Sequence, residues 1–158
     1  MEKKQPPLIR EATADDIGAI VEIEKRCFPG TIAYPKTQLA YLILKANSTS
    51  FVETTGLVMK GFVIVLYREG SRIGCIETID VDLPHQNQGV GSRLLAAAEA
   101  HMKKRGMKYS QLEVSMANSS AISMYQKAGY SMKQQLLGFY KYKHFGSHDA
   151  VRMIKALG

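Results

Sequence analysis

The chain has 158 residues, a length that predicts one domain with a single hydrophobic core. Hydrophobic residues make up 46% and charged residues 22%, and no apolar run approaches the roughly 18 residues of a transmembrane helix, so we expect an ordinary globular protein without a membrane partner. The net charge of +7 comes from scattered Lys and Arg residues, which argues against a dedicated nucleic-acid-binding protein.

The N-terminal residues and the two cysteines bear on the compartment. Residues 1–7, MEKKQPP, lack the apolar region of a secretory signal. Cys27 and Cys75 show neither metal-binding nor redox spacing, so we expect no metal site. Reduced thiols in a cytoplasmic protein are the simplest interpretation.

The first half of the chain predicts strands and helices in alternation, with turns at glycine and proline residues. The predicted elements are a strand at 8–11, a helix that Thr13 caps and that ends near Lys25, a loop at 27–35, a helix at 36–46, and a hairpin of two strands at 50–55 and 57–68.

The second half continues the mixture. Its predicted elements are a strand at 71–81, a helix at 92–106, a strand at 108–115, a helix at 119–128, and final strands at about 131–144 and 148–156, with a break of the first of these near Gly138 left open. This order favours an α/β or α+β sheet flanked by helices.

A glycine-containing segment joins the strand at 71–81 to the helix that follows it. Gln86, Gly89 and Gly91 form a Q-x-x-G-x-G pattern. Glycines allow a tight turn and a close approach of the backbone, and the start of a helix offers unpaired N–H groups to a phosphate. A third glycine of the dinucleotide fingerprint and the Lys-Ser/Thr of a Walker loop are both missing. The segment therefore predicts a phosphorylated cofactor of another kind, although a plain strand-to-helix turn has the same glycines.

A second block, residues 112–130, reads LEVSMANSSAISMYQKAGY. Together with the glycine segment it resembles two successive signatures of the GCN5-related N-acetyltransferase (GNAT) family. The residues in register are Asn118, Ala121, Tyr125, Gly129 and Tyr130. The resemblance implies the GNAT fold, a central mixed but mostly antiparallel sheet of about seven strands flanked by about four helices, with acetyl-CoA as the cofactor.

The same resemblance implies a set of cofactor contacts. Backbone N–H groups of the glycine segment would hold the pyrophosphate, the backbone at Val81 would pair with the pantetheine arm, and Asn118 would bond the arm or only cap its helix. Gln86 stands where an arginine is common in the family. The implied cofactor-binding residues are Ile79, Val81, Gln86, Asn87, Gln88, Gly89, Val90, Gly91, Ser92, Asn118 and Tyr125.

The chemistry of acetyl transfer needs a base for the amine and an acid for the thiolate. The resemblance implies Tyr125 as the acid, since a tyrosine at that place faces the thioester sulfur in similar enzymes. Glu113, twelve residues earlier, matches the base of the ribosomal-protein alanine acetyltransferase (RimI) type. Alternatively, Tyr125 is a core aromatic residue and Glu113 an exposed strand residue.

Glu77 is a second candidate for the base. The alternation along the strand predicts that it shares a face with Ile79 and Val81, toward the cleft between the fourth and fifth strands. Many GNAT enzymes carry the base two residues earlier, where this chain has Cys75. Glu77 would act as the base or bind the amino group of the substrate.

Further resemblances to the RimI type imply that the acceptor is the α-amino group of a protein or peptide. They also imply a ribosomal protein or the ribosome as a partner. The implied acceptor-binding residues are Phe28, Pro29, Tyr34 and Tyr140. Aromatic residues at 139–142, before HDAVRM at 148–153, would line the entry to the peptide-binding site. The alternatives are an acetyltransferase of a small amine and a catalytically silent acyl-CoA-binding module, and the oligomeric state stays open.

Overall fold

The computed structural model describes residues 5–158. Residues 1–4 of the N-terminal segment, for which no secretory signal was expected, lie outside the described residues. The strands are β1 (Leu8–Glu11), β2 (Ser48–Thr55), β3 (Val58–Leu66), β4 (Ile73–Val81), β5 (Tyr109–Ser115), β6 (Ser131–Leu136) and β7 (Ala150–Ala156). The α-helices are α1 (Ile17–Cys27), α2 (Lys36–Leu44), α3 (Val90–Lys104) and α4 (Ser119–Lys127).

The seven strands form one sheet in the order β1-β2-β3-β4-β5-β7-β6. The β4–β5 pair is parallel and the other pairs are antiparallel. Helices α1 and α2 pack on one face over a core that includes Phe62 and Ile64, and α3 and α4 pack on the other over a core that includes Val63 and Leu112. The expected mixed, mostly antiparallel sheet with four helices is confirmed. None of the helices in residues 5–158 is long and apolar enough to cross a membrane.

The sheet is split between β4 and β5. These strands pair only from Ile73 with Tyr109 to Ile76 with Leu112. Beyond these four pairs the strands separate, while β4 stays paired with β3 and β5 with β7. The separation leaves a cleft between the ends of β4 and β5, and Glu77 and Glu113 are the first residues on its two sides.

A β-bulge in β4 changes the face of Glu77. Ile64 pairs with Thr78 but Val65 pairs with Ile76, so Glu77 is the extra residue of the bulge. Ile79 packs against the α3/α4 core, whereas the Glu77 carboxylate is hydrogen-bonded to the Tyr34 side chain, which packs against the α1/α2 core. The prediction that Glu77 shares a face with Ile79 and Val81 is therefore wrong, because the extra residue interrupts the alternation.

The segment after β6 also differs from the prediction. A strand was expected at 131–144, but β6 ends at Leu136 and residues 137–149 form a loop. Gly138, Phe145 and Gly146 have φ of 66°, 54° and 89°, values that an extended strand does not allow. The loop returns to β7 through a hydrogen bond from the Tyr140 N–H to the His148 carbonyl at 2.9 Å.

Gly61 on β3 gives a test of this packing. A Cβ at this position would lie 2.6 Å from the backbone oxygen of Asp80, so we expect Gly61→Ala to lower the free energy of unfolding by about 1–3 kcal/mol. Gly18→Ala is the control, because Gly18 is an exposed residue of α1 with open space at its Cβ and should gain about 0.5–1 kcal/mol. Urea unfolding measures both, and a Gly61→Ala protein as stable as wild type would contradict the close approach.

Candidate active site

Two cavities meet in the cleft. One, of about 520 Å³, is lined by Glu24, Glu77 and Glu113 and is called here the carboxylate cavity. The other, of about 650 Å³, follows the loop from Gln86 to the start of α3 and is called the glycine-loop cavity. The residues that line both are Phe28, Ile79, Asn118, Ala121, Tyr125 and Phe145.

The glycine loop has the backbone conformation that its sequence suggests. Gly89, the residue before α3, has φ of 82°, and Asn87 has φ of 61°. A Cβ on Gly91 would lie 2.8 Å from the Met124 sulfur, so this glycine lets the start of α3 approach α4. The first N–H groups of α3 lack partners within the helix, and this end of the cavity can therefore hold an anion.

Ten of the eleven residues predicted to bind the cofactor line the glycine-loop cavity. The exception is Gln88, whose side chain donates to the Pro84 carbonyl at 3.3 Å and whose own carbonyl accepts from Arg93 at 3.1 Å. Arg93 also forms an ion pair of 2.7 Å with the fully buried Glu53 of β2. Arg93 thus holds the glycine loop against the sheet. The sequence did not indicate this role, because it depends on a contact with the distant strand β2.

Val81 and Asn118 lie at the junction of the loop with the two cavities. The Val81 carbonyl accepts from Gln86 Nε2 at 3.0 Å and from the Cys27 thiol at 3.2 Å. Asn118 Oδ1 accepts from the Ala121 N–H at 3.2 Å and so caps α4. The capping alternative for Asn118 is thus observed, and its side chain also lines both cavities.

Tyr125 lies near the end of α4, where the two cavities meet. Its side chain is 8% exposed, and its hydroxyl makes no hydrogen bond to any of residues 5–158. Burial raises the pKa of Tyr125. The phenol is therefore a neutral donor at physiological pH.

Glu113 projects into the carboxylate cavity while its neighbours Leu112 and Val114 are buried in the α3/α4 core, as the alternation of side chains along a regular strand predicts. On the adjacent β7, Arg152 donates through Nε to Glu113 Oε1 at 3.0 Å. Oε2 of Glu113 has no hydrogen-bond partner among residues 5–158. One carboxylate oxygen is thus held by a cation and the other is available to a ligand.

Glu77 faces Glu113 across the cleft and has different partners. Its Oε1 accepts the hydroxyl proton of Tyr34, and burial together with this bond raises the pKa of Tyr34. Within residues 5–158, no Lys, Arg or His lies within 4.0 Å of the Glu77 carboxylate. Glu77 therefore has the charge and the position to attract an ammonium group.

Aromatic residues line the outer side of the carboxylate cavity. Phe28 from the loop after α1 meets Phe145 from the 137–149 loop, with ring centroids 6.0 Å apart. Tyr140 stacks on His144 at 3.9 Å, and burial, with Glu113 nearby, raises its pKa to about 12. Of the predicted acceptor residues, Phe28, Tyr34 and Tyr140 line this cavity, whereas Pro29 is exposed outside it. His144 was missed because the sequence predicted a strand there, and Phe145 was missed because it lies in the short gap between the two predicted final strands.

A family model described as the acetyltransferase (GNAT) family matches residues 17–130. That range includes the glycine loop, Asn118 and Tyr125. The chain therefore belongs to the GNAT acetyltransferase family, and acetyl-CoA is the cofactor of that family.

An individual relative has a low sequence identity to this chain. The chain is 27% identical over 143 residues to an uncharacterised N-acetyltransferase of Methanocaldococcus jannaschii, covering 83% of this chain and 63% of the relative, so it spans less than two thirds of that protein.

Solved structures show the same fold. The ribosomal-protein-S18-alanine N-acetyltransferase of Escherichia coli superimposes with a TM-score of 0.85 at 24% identity, covering 97% of this chain and 95% of the other. A nourseothricin acetyltransferase superimposes with a TM-score of 0.77 at 22% identity, covering 96% and 99%. Proteins with different acceptors thus share this fold.

Proposed function

We propose that the protein is a cytoplasmic acetyl-CoA-dependent N-acetyltransferase that acetylates the α-amino group of a protein or peptide N-terminus. The observation that carries the proposal is the meeting of the two cavities at Tyr125, with an anion-binding helix start on one side and carboxylates on the other. The two reactants would enter from opposite sides and meet beside a neutral phenol.

The glycine-loop cavity suits acetyl-CoA. The backbone from Gln86 to Ser92 would hold the pyrophosphate, since glycine at 91 lets α3 begin close to α4. The Val81 backbone and Asn118 lie along the path toward Tyr125 and would contact the pantetheine arm. Bound there, acetyl-CoA supplies the activated acetyl thioester.

The protein residues would handle the two protons of the reaction. Glu113, with Glu77 as the second candidate, would take a proton from the acceptor ammonium, and the freed amine then attacks the thioester carbonyl. A C–N bond forms, the C–S bond breaks, the new amide nitrogen loses its extra proton to solvent, and the Tyr125 hydroxyl gives its proton to the departing sulfur. The phenolate regains a proton from solvent.

Direct transfer in a ternary complex is favoured over a covalent acyl-enzyme. Cys27 lines the glycine-loop cavity, but burial raises the pKa of its thiol to about 12. Because the thiolate is the nucleophile, this thiol is unreactive at neutral pH, and it already donates to the Val81 carbonyl.

An N-terminal peptide is proposed as the acceptor because the aromatic wall of Phe28, Tyr140 and Phe145 makes an open, apolar entry to the carboxylates. Similarity to a ribosomal-protein acetyltransferase supports this proposal and suggests a ribosomal protein as the partner. A small amine is the second candidate, because Glu77 has no cationic partner among residues 5–158 and would attract any ammonium group.

The substrate experiment measures coenzyme A release from acetyl-CoA with peptides that begin with Ser, Ala, Met-Glu or Met-Leu, beside spermidine and free amino acids. We expect turnover on a peptide, lost when its α-amine is blocked by formylation. Turnover on small amines alone would contradict the peptide proposal and leave the chemistry intact. Binding of acetyl-CoA without turnover on any amine would indicate a silent binding module.

A further inference from the structure

Two buried carboxyl groups lie beneath the junction of the cavities. Glu24 on α1 and Asp80 on β4 are each 1% exposed, and their carboxyl groups are in contact. Glu24 Oε1 and Asp80 Oδ2 receive no hydrogen bond from any donor in residues 5–158. Two carboxyl groups in contact cannot both be charged in a buried site, so one proton between them would satisfy both oxygens.

Each carboxyl group of the pair also accepts a hydrogen bond from a neighbouring residue. The Tyr34 N–H donates to Glu24 Oε2 at 3.1 Å, and the Thr78 hydroxyl donates to Asp80 Oδ1 at 2.6 Å. Burial and the contact with Glu24 raise the pKa of Asp80 well above its usual range. Asp80 thus carries the shared proton and directs it toward Glu24.

The Glu24–Asp80 pair links the two cavities to Glu77, the carboxylate that is proposed to bind the acceptor amine. Glu24 lines the carboxylate cavity and Asp80 lines the glycine-loop cavity. Through its N–H Tyr34 bonds Glu24, and through its hydroxyl it bonds Glu77. A chain of contacts therefore runs from Asp80 through Glu24 and Tyr34 to Glu77.

We propose that Glu24 and Asp80 share one proton and form a positioning pair, which holds Tyr34 and thereby orients Glu77 toward the acceptor amine. The proposal rests on the proposed acetyltransferase function. Loss of the shared proton would let Tyr34 and Glu77 move, while the cofactor loop and Tyr125 stay in place. The pair therefore governs acceptor binding more than the transfer step.

Variants at Asp80 separate this role from simple packing. Asp80→Asn keeps a donor toward Glu24 and should retain the acceptor KM and kcat of wild type. Asp80→Leu keeps the size but removes the donor from a charged hydrogen bond, and should raise the acceptor KM roughly tenfold or more with a smaller change in kcat. Asp82→Asn is the control, because it weakens the ion pair between Arg26 of α1 and Asp82, the residue after β4, and changes no contact of Tyr34.

Tyr34→Phe is a second variant, in case Asp80→Leu does not fold. It removes only the bond to Glu77 and should raise the acceptor KM as Asp80→Leu does. An acceptor KM unchanged in Tyr34→Phe, or raised as much in Asp80→Asn as in Asp80→Leu, would overturn the positioning role.

Infrared spectroscopy detects the shared proton in the protein without a substrate or catalytic turnover. Wild type at neutral pH should show the band of a protonated carboxyl group, which shifts with ¹³C-labelled aspartate and disappears in Asp80→Asn. The lack of such a band overturns the proposal whether or not the protein is active. Failure of the proposed function shows itself differently, as a protein that has the band but acetylates no amine.

Discussion

Tyr125→Phe is expected to lower kcat by about 10²-fold or more, while acetyl-CoA still binds. Phenylalanine keeps the buried ring at the junction of the cavities and removes only the hydroxyl, which has no structural partner among residues 5–158. The free energy of unfolding should therefore change little. Steady-state kinetics gives kcat, and calorimetric titration gives the affinity for acetyl-CoA.

Tyr130→Phe is the matched control for this prediction. The Tyr130 ring packs edge-to-face against Tyr125 at 5.9 Å, but its hydroxyl contacts Ser110 at 2.6 Å and Glu99 at 3.2 Å, away from the cavities. Its loss should cost about 1 kcal/mol of stability and leave kcat unchanged. A Tyr125→Phe protein with the kcat of wild type would mean that Tyr125 is only a core residue.

Glu113→Gln is the second prediction with a large effect, a fall in kcat of about 10²-fold or more if this carboxylate removes the proton from the amine. Glutamine keeps the size and can still accept from Arg152, so the β5–β7 pairing should persist. Raising the pH should restore part of the rate, because more of the acceptor amine is then already neutral. Measuring kcat across pH checks both expectations.

Glu77→Gln should instead raise the acceptor KM and lower kcat less, because this carboxylate is proposed to bind the ammonium group. A large loss of kcat in Glu77→Gln with near-normal kcat in Glu113→Gln would reverse the two roles. Glu22→Gln serves as the charge control, since Glu22 is an exposed residue of α1 that pairs with Lys25.

The sequence predicted the features that depend on local patterns. The element order, the glycine loop before α3 and the placement of Tyr125 on a helix follow from short runs of residues that can be read without their partners. The direction of Glu113 followed from the alternation in a regular strand.

The features that the sequence did not predict depend on distant partners. The bulge at Glu77 exists only in the pairing of β4 with β3, and the strand itself looks regular. The 137–149 loop has aromatic residues of high β propensity, but positive φ values at Gly138 and Phe145 end the extended chain. Because of these two errors, the sequence predicted Glu77 on the wrong face of β4 and did not indicate that His144 and Phe145 line the carboxylate cavity.

The Glu24–Asp80 pair had a local signal that could have indicated it. Glu24 lies seven residues after Ile17 and four after Ile20, so helical periodicity places it on the buried face of α1. A glutamate there needs a partner, but the sequence does not identify a residue 56 positions away as that partner.

The separation of β4 and β5 gives this sheet an unusual pair of free edges in its interior. Exposed strand edges usually make proteins prone to aggregation, because they offer unpaired N–H and C=O groups to strands of other molecules. Here the loop with Phe28 and the 137–149 loop border the cleft on one side, and α4 borders it on the other. These segments border the free edges and hinder pairing with a strand of another folded domain, while the two cavities leave the edges accessible to a ligand.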